Sequence, residues 1–109
     1  MVSGLRTHFV HDDRLGIDLP KLERPWELIA PELQAAIIAH WEVVRGQIPD
    51  RIFRLEASIR AKQGELDAEE DFRTACRLNG EIAELASRIN DLQIWYRIQQ
   101  DMEETKRHS

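Results

Sequence analysis

Residues 31–46 repeat their apolar side chains every three or four positions, at Leu33, Ile37, Trp41 and Val44. This spacing places them on one face of an α-helix. Pro31 suits the first turn of that helix because its φ angle is already helical. Gly46 is a natural end, so the pattern predicts a first helix over residues 31–46.

A second apolar stripe follows the 4, 3, 4 spacing typical of helices that pack side by side, at Ile48, Ile52, Leu55 and Ile59. The second predicted helix starts at Pro49 and ends at Gly64, a residue suited to the left-handed conformation that closes helices. Asp67 and Glu70 have the spacing of a capping box. The pattern therefore predicts a turn over residues 64–67.

A third, longer helix is predicted from about residue 68 to about residue 104, where no proline interrupts the chain. Its apolar stripe comprises Phe72, Ala75, Leu78 or Asn79, Ile82, Leu85, Ile89 and Leu92. Across a turn at residues 64–67, Ile59 is expected near Phe72 and Ile52 near Leu78.

These elements predict an all-α protein built as a long antiparallel helical hairpin that resembles a coiled coil. Its first arm is expected to be kinked between Gly46 and Pro49, where proline disturbs the helix. A first helix that folds back at Gly46 would instead give a three-helix bundle. The hairpin domain is assigned to residues 31–109. Residues 1–30 lack sustained periodicity and are expected to form a loosely structured N-terminal arm.

The composition argues against two classes of function, nucleic-acid binding and membrane crossing. Charged residues make up 32% of the 109-residue chain and the formal net charge is −5. Because nucleic-acid binders need a basic face, no nucleic-acid partner is expected. The longest apolar run, residues 35–39, is too short to cross a membrane. Cys76 is the only cysteine, which excludes an intrachain disulfide and favours a cytoplasmic location.

The segment "DFRTACRLNGEI", with Asp71, Phe72, Ala75, Leu78 and Ile82, resembles the UVR motif of bacterial excision-repair subunits and protein-quality-control adaptors. Together with "RLEASI", the resemblance covers residues 52–86. It implies a helical hairpin that docks onto other proteins. This sequence departs from the family, which has an acidic residue after the Phe, paired alanines, and Arg-Asp after the Leu; those places hold Arg73, Ala75–Cys76 and Asn79–Gly80 here. The whole chain is also similar to small cytosolic proteins of spore-forming bacteria, a likeness that implies no activity.

Four side chains near the N-terminus belong to residue types that bind zinc or similar ions: His8, His11, Asp12 and Asp13. They indicate either a metal site or a solvated polar arm. The sequence has no glycine-rich phosphate loop, nucleophile elbow or paired-cysteine zinc motif. We therefore expect neither catalytic residues nor a cofactor.

We expect a non-enzymatic interaction or structural protein, for example an adaptor. It would act by helix–helix docking and form a homodimer. Large aromatic side chains dominate interface energetics, so Trp41, Trp95 and Tyr96 are the candidate interaction surface, unless they belong to the core. The alternative is a metal-binding protein that uses the N-terminal His/Asp cluster.

Overall fold

The computed structural model describes the backbone of residues 4–108 and the side chains of residues 4–98. The protein is mostly helical (76%), and its two long helices pack against each other as a hairpin. This confirms the predicted fold class, to which a small β-hairpin is added. By its internal contacts the chain divides into two units, Met1–Gln47 and Ile48–Ser109.

Residues 4–30 form defined local structure, contrary to the expectation of a loose arm. A 3-10 turn over Leu5–His8 leads into strand β1, Phe9–Asp12, which pairs antiparallel with strand β2, Ile17–Pro20. A second 3-10 turn follows at Trp26–Leu28. The side chains of Leu15, Ile17 and Ile29 are buried.

The connection between the two strands explains why this short hairpin forms. The Asp12 carboxylate accepts the Leu15 N–H at 2.8 Å, and the Asp12 carbonyl accepts the Gly16 N–H at 2.7 Å. Gly16 adopts a φ of +70°, which a residue with a side chain rarely does. Aspartate and glycine thus close the turn and set the strand register.

The next element is a single helix, α1, which runs from Pro31 to Ala68. The predicted start at Pro31 is confirmed, and Ala30 accepts the first bond, from the Gln34 N–H at 2.9 Å. The predicted end at Gly46 is wrong, because helical backbone continues through Gly46 and Pro49. The three-helix bundle, which needs a reversal at Gly46, is thereby excluded.

The predicted turn at residues 64–67 is also wrong, because α1 ends at Ala68 and helix α2 spans Phe72–His108. Asp71 caps α2: its carboxylate accepts the Thr74 N–H at 2.9 Å and the Thr74 hydroxyl at 2.8 Å. Glu69 in turn accepts the Asp71 N–H at 2.9 Å. Side-chain capping at Asp71 therefore places the turn after Ala68 instead of at Gly64.

Within the second unit, α1 from Ile48 onward packs antiparallel against α2. Ile48, Leu78 and Leu92 are its most deeply buried side chains. The later turn changes the pairing: Ile52 shares a groove with Tyr96 and does not meet Leu78 as predicted. Phe72, expected opposite Ile59, is 79% exposed.

The position of the turn can be tested at Gly64. A Cβ added at Gly64 would meet nothing within 4 Å. Gly64→Ala should therefore raise the free energy of unfolding by about 0.5–1 kcal/mol, because alanine is the better residue inside a helix. Denaturant unfolding measures the change.

The matched control is Gly16→Ala. Because Gly16 is left-handed, alanine there should lower the free energy of unfolding by about 1–2 kcal/mol. A loss of stability in Gly64→Ala would contradict the helical assignment and favour a turn at that position.

Candidate functional site

His8, the first of the predicted metal ligands, is a buried structural residue with 2% exposure. Its ring Nδ1 accepts the Glu23 N–H at 3.1 Å, and its carbonyl accepts the Lys21 N–H at 2.7 Å. An Nδ1 that accepts a hydrogen bond leaves the proton of the neutral ring on Nε2. His8 therefore holds the segment after β2 against the start of the hairpin.

The other predicted ligands do not gather around His8. Asp12 closes the hairpin turn, and Asp13 is a solvent-exposed partner of the His11 Nε2 at 3.6 Å. Among the side chains of residues 4–98, no group of three His, Cys, Asp or Glu residues is placed to hold a metal ion. The geometry thus gives the metal hypothesis no support.

A different cluster does form, around the carboxylate of Asp18. His11 and Asp18 are direct cross-strand partners, and the His11 Nδ1–H donates to Asp18 Oδ1 at 2.9 Å. On the opposite side, the His40 Nε2–H on α1 donates to Asp18 Oδ2 at 3.2 Å. Since a carboxylate only accepts, each histidine donates with the nitrogen that faces it.

The hydrogen bond from His11 is the main cause that lowers the pKa of Asp18 below its usual value, opposed by partial desolvation and assisted by His40. The rings of Phe9 and His40 also meet edge to face, with centroids 4.5 Å apart. His40 therefore attaches the β-hairpin to the first part of α1 through one polar and one aromatic contact.

The three predicted aromatic anchors have different environments. Trp41 is 6% exposed and is a buried residue rather than an accessible one. Trp95 and Tyr96 are half-buried. Tyr96 lines a shallow groove of about 450 Å³ between the two helices of the second unit, together with Ile48, Pro49 and Ile52 of α1.

One long side of the second unit carries ion pairs. Glu81 accepts hydrogen bonds from Lys62 across the hairpin at 2.8 Å and from Arg77 at 2.7 Å. These two partners, Lys62 first, lower the pKa of Glu81. Glu84 pairs with Arg88 at 3.2 Å further along α2. The charged groups on this side therefore pair with one another.

The face of α2 that points away from α1 has the opposite character. Seven exposed, uncharged residues recur there every three or four positions, and we call them the outer stripe: Phe72, Cys76, Asn79, Ala83, Ala86, Asn90 and Ile94. Phe72 is 79% exposed and Ile94 is 44% exposed. In a chain with 32% charged residues, an exposed helical face of this length without a charge is a candidate contact surface.

Sequence reasoning missed both the outer stripe and the cluster around Asp18. Leu78 is buried and Asn79 is exposed, so the inner stripe of α2 passes through Leu78 and leaves Asn79 outside. The spacing of Phe72, Cys76, Asn79 and Ala83 was the available signal for the outer stripe. For Asp18, the signal was the Asp-Arg-Leu-Gly loop, which makes His11 and Asp18 neighbours in a hairpin.

Comparisons with known proteins give no relative: no family model, curated protein or solved structure matches the chain. The resemblance to the UVR hairpin remains an interpretation of the sequence. In the described part of the chain, no helix combines the length and the apolar character needed to cross a membrane.

The contribution of Asp18 can be measured with Asp18→Asn, which removes the charge that both histidines bind. We expect a loss of stability at neutral pH on the order of 0.5 kcal/mol, because the group is partly exposed and solvent screens it. Since the folded-state pKa of Asp18 lies below the ordinary 3.8, the contribution is present above that pH. It should disappear as the pH falls through the folded-state value.

Asp13→Asn is the matched control, because the Asp13 side chain is fully exposed and its loss should leave the unfolding curve unchanged from neutral to acid pH. An equal effect of the two substitutions would show that net charge, and not the His–Asp–His cluster, determines the stability.

Proposed function

We propose that the protein is a non-enzymatic interaction protein whose outer stripe docks against a helix of a partner. The observation that carries this proposal is the exposure of Phe72 and Ile94 on a helical face without charged residues. Covering such a face removes apolar area from water without desolvating a charge, which is the favourable case for association.

The shape of the stripe supports a helix as the docked element. Its residues recur at the spacing that two packed helices share, and its middle is small, with Ala83 and Ala86 exposed. Small side chains allow a second backbone to approach closely, while larger groups at the ends fix its position. Phe72 contributes the largest apolar area of the stripe.

Polar residues in the stripe suit a specific contact. Asn79 and Asn90 are exposed, and each can donate and accept hydrogen bonds with a partner's side chains. Asparagine within a helical contact favours one register and orientation over others, at some loss of affinity. An adaptor or scaffold role, the kind of role that the UVR resemblance implies, is consistent with such a surface.

Site-specific photo-crosslinking tests the proposal. Replacing Phe72 with p-benzoylphenylalanine keeps an aromatic side chain at the stripe and reacts with whatever contacts it. We expect a defined cross-linked species when the protein is irradiated in its native cells, because the partner covers Phe72.

Phe53 is the matched control, since it is also a phenylalanine, lies on α1 and is 68% exposed. The same replacement at Phe53 should give no defined species. Equal cross-linking at both positions, or none at Phe72, contradicts docking through the outer stripe. The mass of the cross-linked species reports whether the partner is another protein or a second copy of the 12.7 kDa chain.

A further inference from the structure

We infer that the helix docked on the outer stripe is α2 of a second copy, antiparallel to the first and related to it by a two-fold axis near Ala83. The inference rests on the proposed function and names its partner. It follows from the self-complementary order of the exposed side chains along α2.

A two-fold axis at Ala83 pairs each residue with one equally far on the other side of position 83. Phe72 then faces Ile94 of the second copy, so the two large exposed apolar side chains of the stripe cover each other. Cys76 faces Asn90, and Asn79 faces Ser87. Both symmetry-related sets form at once, as an isologous contact requires.

Small residues at the centre of this contact allow the two α2 helices to approach closely. Ala83 meets its own copy at the axis, flanked by Gly80 and Ala86, all of them exposed. Helices with alanine and glycine at their contact can pack at the short end of the usual interaxial range, roughly 8 Å. Close packing at the centre brings the larger side chains at both ends into contact.

Charges beside the stripe are complementary in the same arrangement. Arg73, which is exposed, and Asp91, which is half-buried, lie on one flank of α2 beside the stripe. In an antiparallel pair the matching flanks meet, so Arg73 of each copy approaches Asp91 of the other. In a parallel pair opposite flanks of the two helices face each other, so Arg73 and Asp91 of the two copies would not meet.

Cysteine cross-linking tests the axis. Cys76→Ser/Ala83→Cys places one thiol per chain at the axis, within the distance that a disulfide needs. We expect mild oxidation to convert most of this variant to a covalent dimer. Cys76→Ser/Ser58→Cys is the control, with an exposed position on α1, and should stay monomeric on a denaturing gel.

Oxidation of the wild-type protein at Cys76 distinguishes antiparallel from parallel pairing of the two α2 helices. In the antiparallel dimer, the two Cys76 residues lie about 21 Å apart along the axis, at about 1.5 Å per residue, so they should not cross-link. Asn90→Cys in the wild-type background should cross-link to Cys76 of the other copy. Efficient oxidation of wild-type protein to a disulfide dimer would indicate parallel pairing and overturn the inference.

Sedimentation supplies a second measurement that does not depend on thiols. Ala83→Glu places two like charges at the axis and should weaken dimerisation tenfold or more, with the monomer still folded because position 83 is exposed. Ala61→Glu makes the same change at an exposed alanine of α1 and should leave the dimer intact. A monomeric wild-type protein overturns the inference.

Docking of a helix on the outer stripe and its identity as a second copy are tested separately. If Phe72 cross-links to a different protein and the wild-type chain is monomeric, helix docking stands and the second copy is wrong. If neither a partner nor a dimer is found at the stripe, both are wrong.

Discussion

The contact between the two helices of the second unit is the constraint on which the rest of that unit depends. Ile48, Leu78 and Leu92 are almost completely removed from water, and each buried aliphatic side chain of this size contributes about 1.5–3 kcal/mol. This burial offsets the cost of Pro49 inside α1, which lacks a backbone N–H. It also fixes which side of α2 faces inward, and so which residues remain outside.

The position of the turn then determines the register. Asp71 and Glu69 satisfy backbone and side-chain donors at the start of α2, and α1 continues to Ala68 as a result. Moving a turn by four residues shifts the pairing across the hairpin by about twice as many. Lys62 consequently reaches Glu81, and Phe72 becomes the first residue of α2 instead of the partner of Ile59.

The first unit combines buried apolar side chains, such as Ile17 and Trp41, with specific polar contacts. A two-stranded hairpin is marginal in water by itself, and here each strand has only four residues. The buried ring of His8, the carboxylate of Asp12 and the His11–Asp18–His40 cluster supply the additional contacts. Because His40 belongs to α1, the same cluster holds the hairpin against the helix that follows it.

The sequence by itself determined the helical class, the start of α1 at Pro31 and the existence of a hairpin, because helical periodicity and a proline at the first turn are local signals. Only the tertiary structure decided that the helix continues through Gly46, Pro49 and Gly64, since burial at Ile48 and capping at Asp71 outweigh the local preferences of proline and glycine. It likewise brought His40 to Asp18 and left Phe72 exposed. Both outcomes depend on contacts between residues distant in sequence, which a periodic pattern along one chain does not contain.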